Sequence, residues 1–341
     1  LRAVVDGTAQ TLVDQAPGKN GFAEYEGPIQ GARLERIMIE VTTETGDDGR
    51  IDLLWLIAVS SAARTRYRRQ IDVYNPDWPV FLRTDPPALR PRLGLLLPDG
   101  VDGLQRRITQ PAYREAWKET RQQAESFLNS QPEFGVREHL ARPGAASKGR
   151  YEHDLGHPPR DRQAISADAM QACSLVGLAE NDPRFARIAL RHALSAAHCT
   201  HWDDSFMMTR RGALWDHRAF TAMSVTEAFV RTVDWSGTLL TDAGIDLVGR
   251  TLSMRVLPKV DYSLRKYAYM RGNNQAIFFA ATGILAVSTL GCLLDCGGDG
   301  LDWYVDVLRE TVETYFLADG GTHEGAAYHD ASASRALEGF A

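Results

Sequence analysis

Three neighbouring amides, Asn273, Asn274 and Gln275, stand where a polar stretch gives way to the uncharged run 276–294. Amide N–H donors can hold a carboxylate in a neutral-like state. Tyr328 follows 54 positions after Asn274, at the end of the Gly-rich stretch Ala318-Asp-Gly-Gly-Thr-His-Glu-Gly-Ala-Ala-Tyr328. A tyrosine hydroxyl can move a proton once cationic or hydrogen-bonding neighbours support it. Donors for a carboxylate plus a proton carrier suggest chemistry on a uronic acid. His323 and Glu324 share the Gly-rich stretch and suit either orientation of Tyr328 or contact with a sugar. His329 adjoins Tyr328 and is expected to point elsewhere. Trp202, within Thr200-His-Trp-Asp-Asp204, can stack on a sugar ring. Each of these residues also has a plainer reading. The amides can cap a helix beginning near Ala276, Tyr328 and Trp202 can be packed aromatics, and His323 with Glu324 can be a solvated pair.

The elements that must position these groups fall into two halves. In 20–85, Ile37, Ile39 and Val41 alternate, Thr43-Glu-Thr-Gly-Asp-Asp-Gly-Arg50 reads as a hairpin, and Ile51 to Val59 is a second apolar run. Tyr67, Ile71 and Val73 alternate with Arg68, Gln70 and Asp72. Strands without intervening helical periods predict an antiparallel sandwich over 1–89. The Pro-rich segment Thr84-Asp-Pro-Pro-Ala-Leu-Arg-Pro-Arg92 marks the border.

From about residue 99 the apolar period is 3.6. Leu104 to Phe127 predicts two helices broken near Pro111. The polar segment from Arg142 to Asp161 reads as either a functional loop or disorder. Beyond it, Ile165 to Val176 forms one stripe, Asn181-Asp-Pro183 is a turn and helix start, and Phe185 to Ala196 forms the next stripe. Ala219 to Trp235 is helical, Thr241 caps a helix that Pro258 stops, and Leu301 to Tyr315 is another amphipathic helix. The run 276–294 has 19 uncharged residues, close to a spanning length. Thr282, Gly283, Ser288, Thr289 and Gly291 dilute it, so a buried inner helix is expected and no membrane span.

The chain has 341 residues, enough for two domains, and an ordinary globular composition. A net charge of −6 argues against nucleic acid as main partner. It leaves open an anionic sugar held in a local cationic pocket. Four cysteines are too few for a disulfide framework. Cys292 and Cys296 lack further ligands for a metal, and Cys173 and Cys199 read as core. The chain starts at Leu1 without a visible signal peptide and ends inside an apparent helix. It is therefore expected to be a fragment missing both ends.

In these residues the chain resembles the heparinase II/III-like polysaccharide lyases, a superfamily that includes oligoalginate lyases. The resemblance covers about 90–341. It rests on Arg90-Pro-Arg-Leu93 with the helices after it, on Leu178-Ala-Glu-Asn-Asp-Pro-Arg-Phe-Ala186, on Arg271-Gly-Asn-Asn-Gln275 and on Asp319-Gly-Gly-Thr-His-Glu-Gly-Ala-Ala-Tyr328. It implies an incomplete α/α toroid over 90–341, with the N-terminal sandwich before it. A C-terminal sandwich, which in the family often adds a histidine to the site, is expected to be missing here. A structural metal in that domain stays open, while the residues in view require no cofactor. The implied reaction is β-elimination on an acidic polysaccharide or oligosaccharide: a base removes the C5 proton and the C4 oxygen leaves. Donors aimed at the carboxyl group stabilise the enolate-like state. The resemblance makes Asn274 the neutraliser, with Asn273 or Gln275 assisting, and Tyr328 the base, acid or both. Some relatives carry a histidine where Gln275 stands, so dual-base chemistry is not expected. Of Arg160 and Arg162, which precede a helix, Arg162 is favoured to grip the substrate carboxylate. A periplasmic or secreted location goes with such a substrate.

Two other functions fit the same scaffold. Toroids also host glycoside hydrolases that work with paired carboxylates, for which Asp203, Asp204, Asp216 and Glu324 are available. A non-catalytic glycan-binding protein is the third reading.

Overall fold

The computed structural model of the chain describes residues 2–11, 34–38, 80–85, 87–94, 99–130, 166–198, 220–294 and 300–340. The chain divides into two compact units, Leu1–Leu53 and Leu54–Ala341. In the first, β1 (Arg2–Val5), β2 (Thr8–Thr11) and β3 (Leu34–Met38) form an antiparallel sheet in the order β2-β1-β3. Asp6 and Gly7 join β1 to β2 with φ of 49° and 77°. Positive φ at both central residues is what a two-residue type I′ hairpin needs, and Asp-Gly is a favoured pair for it. A bulge interrupts the β1–β3 ladder beside Val4 and Val5. The other segments read as strands, including Ile51–Val59 and Tyr67–Val73, lie outside the described residues.

The second unit is helical. Its helices are α1 (Gly100–Ile108), α2 (Pro111–Ser130), α3 (Ala167–Glu180), α4 (Pro183–His198), α5 (Phe220–Ser236), α6 (Asp242–Thr251), α7 (Leu257–Lys266), α8 (Asn274–Leu294), α9 (Leu301–Tyr315) and α10 (Ala326–Phe340). Their ends follow from local chemistry. Ser166 accepts from the Ala169 N–H at the start of α3, and Asn181 ends that helix in the left-handed region before Pro183 opens α4. Thr241 caps α6 through the Gly244 N–H. Pro258, expected to stop that helix, does not. A π-type turn over Leu252–Val256 widens the coil, and Pro258 falls in the first turn of α7. A first-turn proline costs little, because N–H groups there lack helical acceptors anyway.

The Pro-rich segment is an extended strap on the helical unit. Leu82 bridges Leu240, and the Leu89 N–H reaches the Asn181 side chain. The N–H groups of Leu93 and Gly94 converge on one carboxylate oxygen of Asp234 at 2.5 and 3.0 Å. Residues 80–94 therefore pack with the helices that follow them, and the border between units lies earlier than residue 89.

Helix α5 packs against α3, α4 and α8, and α8 packs against α5, α7, α9 and α10. One helix among the described residues, over Asn274–Leu293, is long and apolar enough to cross a membrane by length and composition. Here it is a core helix, with 78% of that stretch buried inside the chain. Ile277, Phe279, Ala280, Leu285 and Ala286 point different ways and are all covered. At Gly283 the ring of Tyr304 lies where a side chain would be: a Cβ there would stand 2.3 Å from it. That ring is held by its hydroxyl, which donates to Asp261 at 3.0 Å.

A buried charge cluster joins three helices. Glu227 of α5 is 1% exposed. It pairs with Arg335 of α10 at 2.7 Å and accepts from the Thr282 hydroxyl of α8 at 3.2 Å. Arg335 also meets Glu338, whose second partner is Arg231 of α5. Burial pushes the Glu227 carboxyl up to about 7, outweighing the opposing pull of Arg335 and Arg231.

Two outcomes are expected. Gly283→Ala should destabilise the fold by about 1–3 kcal/mol, as overpacking of an anchored ring does, and chemical denaturation will measure it. For Glu227 the folded carboxyl holds its proton more tightly than the unfolded one. Its stabilising contribution is complete below about pH 4.5 and is lost as pH rises through about 7. Wild type should thus lose on the order of 3 kcal/mol across that window relative to Glu227→Gln. Parallel stability–pH curves for the two proteins would contradict this assignment.

Candidate functional site

The Gly-rich stretch folds into two consecutive tight turns between α9 and α10. Phe316 and Thr322 form an antiparallel bridge, and the Leu317 N–H donates to the Gly321 carbonyl at 2.8 Å. Asp319 closes the tip by accepting from the Gly321 N–H at 2.9 Å. Thr322 then begins a second turn. Its hydroxyl donates to the Gly325 carbonyl at 3.0 Å, and the Gly325 N–H returns to the Thr322 carbonyl at 3.1 Å. Gly320 and Gly325 have φ of +84° and +86°, a region where L side chains are strained. This geometry presents His323 and Glu324 on an exposed tip, directly before the first turn of α10.

The second motif meets that tip. One carboxylate oxygen of Glu324 accepts from the Asn274 N–H at 2.9 Å. Asn273 is extended, with φ −142° and ψ 173°, and its side-chain oxygen accepts from the Gln275 N–H at 3.0 Å. The first two N–H groups of α8 are therefore capped by two different side chains, and a carboxylate is favoured there by the helix dipole. The plain capping role foreseen for the amides is what Asn273 performs. Its amide nitrogen is also used, donating to the Tyr269 carbonyl at 3.5 Å. The helix begins at Asn274, two residues before the expected start at Ala276.

Asn274 itself is 7% exposed and lies on the floor of this junction. Tyr328 sits in the first turn of α10, where its N–H donates to the Gly325 carbonyl at 3.2 Å, and 48% of it is exposed. His329 turns to Asp330 at 3.1 Å and sets its ring edge-on to Phe316. The direct bond from Glu324 thus joins Asn273, Asn274 and Gln275 to the turn that carries His323 and precedes Tyr328. Arg162, Trp202, Arg160, Asp203, Asp204 and Asp216 lie outside the described residues.

Tyr315 belongs to this neighbourhood and was not singled out in the sequence, where it reads only as the end of a helical stripe. It is fully buried, and its hydroxyl contacts the Ser332 hydroxyl of α10 at 3.5 Å. Burial raises the pKa of its hydroxyl above the usual tyrosine value, hydrogen bonds with Ser332 and Thr322 oppose that, and the Glu324 charge adds to it. Tyr315 therefore stays protonated and supports the turn from below. The half-exposed Tyr328 is the better placed of the two to meet a ligand.

Among the described residues no group of three or more His, Cys, Asp or Glu side chains is arranged to hold a metal ion. Burial pushes the Cys173 thiol up to about 12, which suits a core residue. Comparison with protein-family models, curated proteins and solved structures finds no match for this chain.

Asn273→Ala removes a side-chain cap and should cost about 0.5–2 kcal/mol of stability. Glu324→Gln keeps an acceptor but loses the charge at the helix terminus, for about 0.3–1 kcal/mol. Thermal melts that leave Asn273→Ala at the wild-type midpoint would show that water replaces the cap without loss.

Proposed function

We propose that the chain carries the catalytic domain of a lyase that cleaves a uronate-containing polysaccharide or oligosaccharide by β-elimination. The observation that carries this reading is the Glu324–Asn274 hydrogen bond, which joins two motifs separated by 50 positions. It sets a seated amide beside a turn that leads into an exposed tyrosine. In the proposed reaction Asn274 donates to the substrate carboxyl group as negative charge builds on it, the situation in which a preorganised donor is worth most. Tyr328 takes the C5 proton or returns one to the leaving C4 oxygen. His323 orients the tyrosine or the sugar. Gln275 assists Asn274, and Arg162 and Trp202 remain proposed contacts to carboxylate and ring. Glu324 and Asn273 hold the helix terminus in place. In architecture, the successive packing of α3, α5 and α8, and then of α8 with α10, is compatible with the inner row of an α/α toroid. The three-stranded sheet is offered as part of an N-terminal sandwich.

Tyr328→Phe deletes only the hydroxyl and should lower turnover by about two to four orders of magnitude. Asn274→Ala should lower it by about two to three, with substrate affinity changing less. The assay is the ultraviolet absorbance of the unsaturated product across a panel of uronate polymers, with thermal melts to confirm folding. Near-normal product formation by folded Tyr328→Phe would remove the tyrosine from the mechanism. Chain cleavage without unsaturated product would favour a hydrolase.

A further inference from the structure

A compact aromatic and cationic cluster leads directly into Asn273 and has no part in the reaction proposed above. It is built on the end of α7 and the short 3-10 turn over Ala268–Gly272. Lys266 donates to the Tyr262 hydroxyl at 2.5 Å. Its ammonium lies 4.9 Å from the centre of the Tyr262 ring and 5.6 Å from that of Tyr267. Tyr267 in turn stands edge-on to Tyr269, with centres 6.1 Å apart. Tyr269 is 52% exposed, the most open of the large aromatic rings among the described residues of the helical unit.

A single exposed tyrosine needs no explanation. This one is different in two respects. Its ring meets that of Tyr267, and its main-chain carbonyl accepts from the Asn273 amide. It also belongs to a ring system with a cation on it. The second point decides the chemistry. The face of an aromatic ring is electronegative, so an anionic sugar approaching bare rings meets repulsion. With Lys266 against Tyr262 and Tyr267, the same surface offers an apolar face for sugar C–H groups and a positive charge for a carboxylate. The hydrogen bond from Lys266 to Tyr262 raises the lysine's affinity for its proton, so the charge persists above neutral pH. One short turn separates Tyr269 from Asn274, which puts the platform beside the reacting position rather than in it.

We propose that Tyr269, backed by Tyr267 and Lys266, is a stacking subsite for a neighbouring uronate unit of an acidic oligosaccharide chain. The proposal rests on the uronate reading above and extends it to substrate length: chains that reach the platform bind more tightly than chains that do not.

The test is isothermal titration calorimetry of saturated uronate disaccharides and tetrasaccharides, alginate-derived and heparan-type, in a Tyr328→Phe background that limits turnover. Adding Tyr269→Ala should weaken tetrasaccharide binding about tenfold, the scale of one lost aromatic contact, and leave the disaccharide within about threefold. Tyr269→Phe keeps the ring and should bind like its parent. Lys266→Gln should weaken the acidic tetrasaccharide and reduce the salt dependence of its binding. Equal binding of tetrasaccharide with and without Tyr269→Ala, while the wild-type chain still forms unsaturated product, overturns the platform alone. Binding of a neutral tetrasaccharide as tight as that of the acidic one overturns its charge selectivity. Failure of the wild type to bind or cleave any uronate overturns the lyase reading and the platform together.

Discussion

The buried pairing of Glu227 with Arg335 is the constraint on which the site depends, although neither residue belongs to it. A buried ion pair is a poor source of net stability, since both charges lose their water. Its value lies in specificity, because removing either partner strands the other. Here the pairing is extended by Glu338, Arg231 and the Thr282 hydroxyl, so it joins α5, α8 and α10 at one point. The helix most in need of such a fixture is α10. It exposes Tyr328, Leu337 and Phe340, and its buried apolar contribution is small beside that of α8. Apolar contact alone leaves sliding and rotation of a helix weakly determined. A salt bridge with a hydrogen-bonded third partner determines both, and with them the approach of the 322–325 turn to Asn274.

Helix α8 supplies the opposite kind of constraint. It is apolar on all sides and covered on nearly all of them, so its position follows from packing. Close approach is the device: Gly283 admits the Tyr304 ring, and Gly339 of α10 lies against Ala281 and Leu308. The polar end of so apolar a helix must be satisfied at its terminus, and Glu324 and Asn273 do that. The two motifs therefore meet because α8 needs capping and because α10 is fixed by charge.

Local punctuation was the legible part of the sequence. Asn181-Asp-Pro183, Thr241 and Pro111 mark helix ends where side chains and φ restrictions act within a few residues. The Asp6-Gly7 hairpin carries a local signal of the same kind, a favoured pair for positive φ at both turn positions. Pro258 misled because a proline's effect depends on the turn around it, and the wide turn before it is set by packing. Glu227, Arg335 and Tyr315 were invisible for another reason. Glu227 meets Thr282 and Arg335, 55 and 108 positions away, and nothing local distinguishes a buried glutamate from a solvated one. The amide–tyrosine pair is legible by spacing and resemblance, whereas Glu324, the group that joins the motifs, reads in the sequence as an orienter of Tyr328, a sugar contact or a hydrolase carboxylate, and not as the cap of a distant helix.

Capping also limits how an anion can be received at this junction. A helix terminus ordinarily offers its main-chain N–H groups to a ligand carboxylate. At α8 the first is taken by Glu324 and the second by Asn273. A uronate approaching this end must displace one of those side chains or rely on side-chain donors. Displacement exposes a helix terminus that folding has already satisfied and brings the ligand charge beside that of Glu324. Side-chain donation avoids both costs. On the uronate reading, this assigns neutralisation of the substrate to the Asn274 amide rather than to the helix backbone. Asn273 is less free to assist, because its oxygen and one of its two amide N–H groups already serve the backbone.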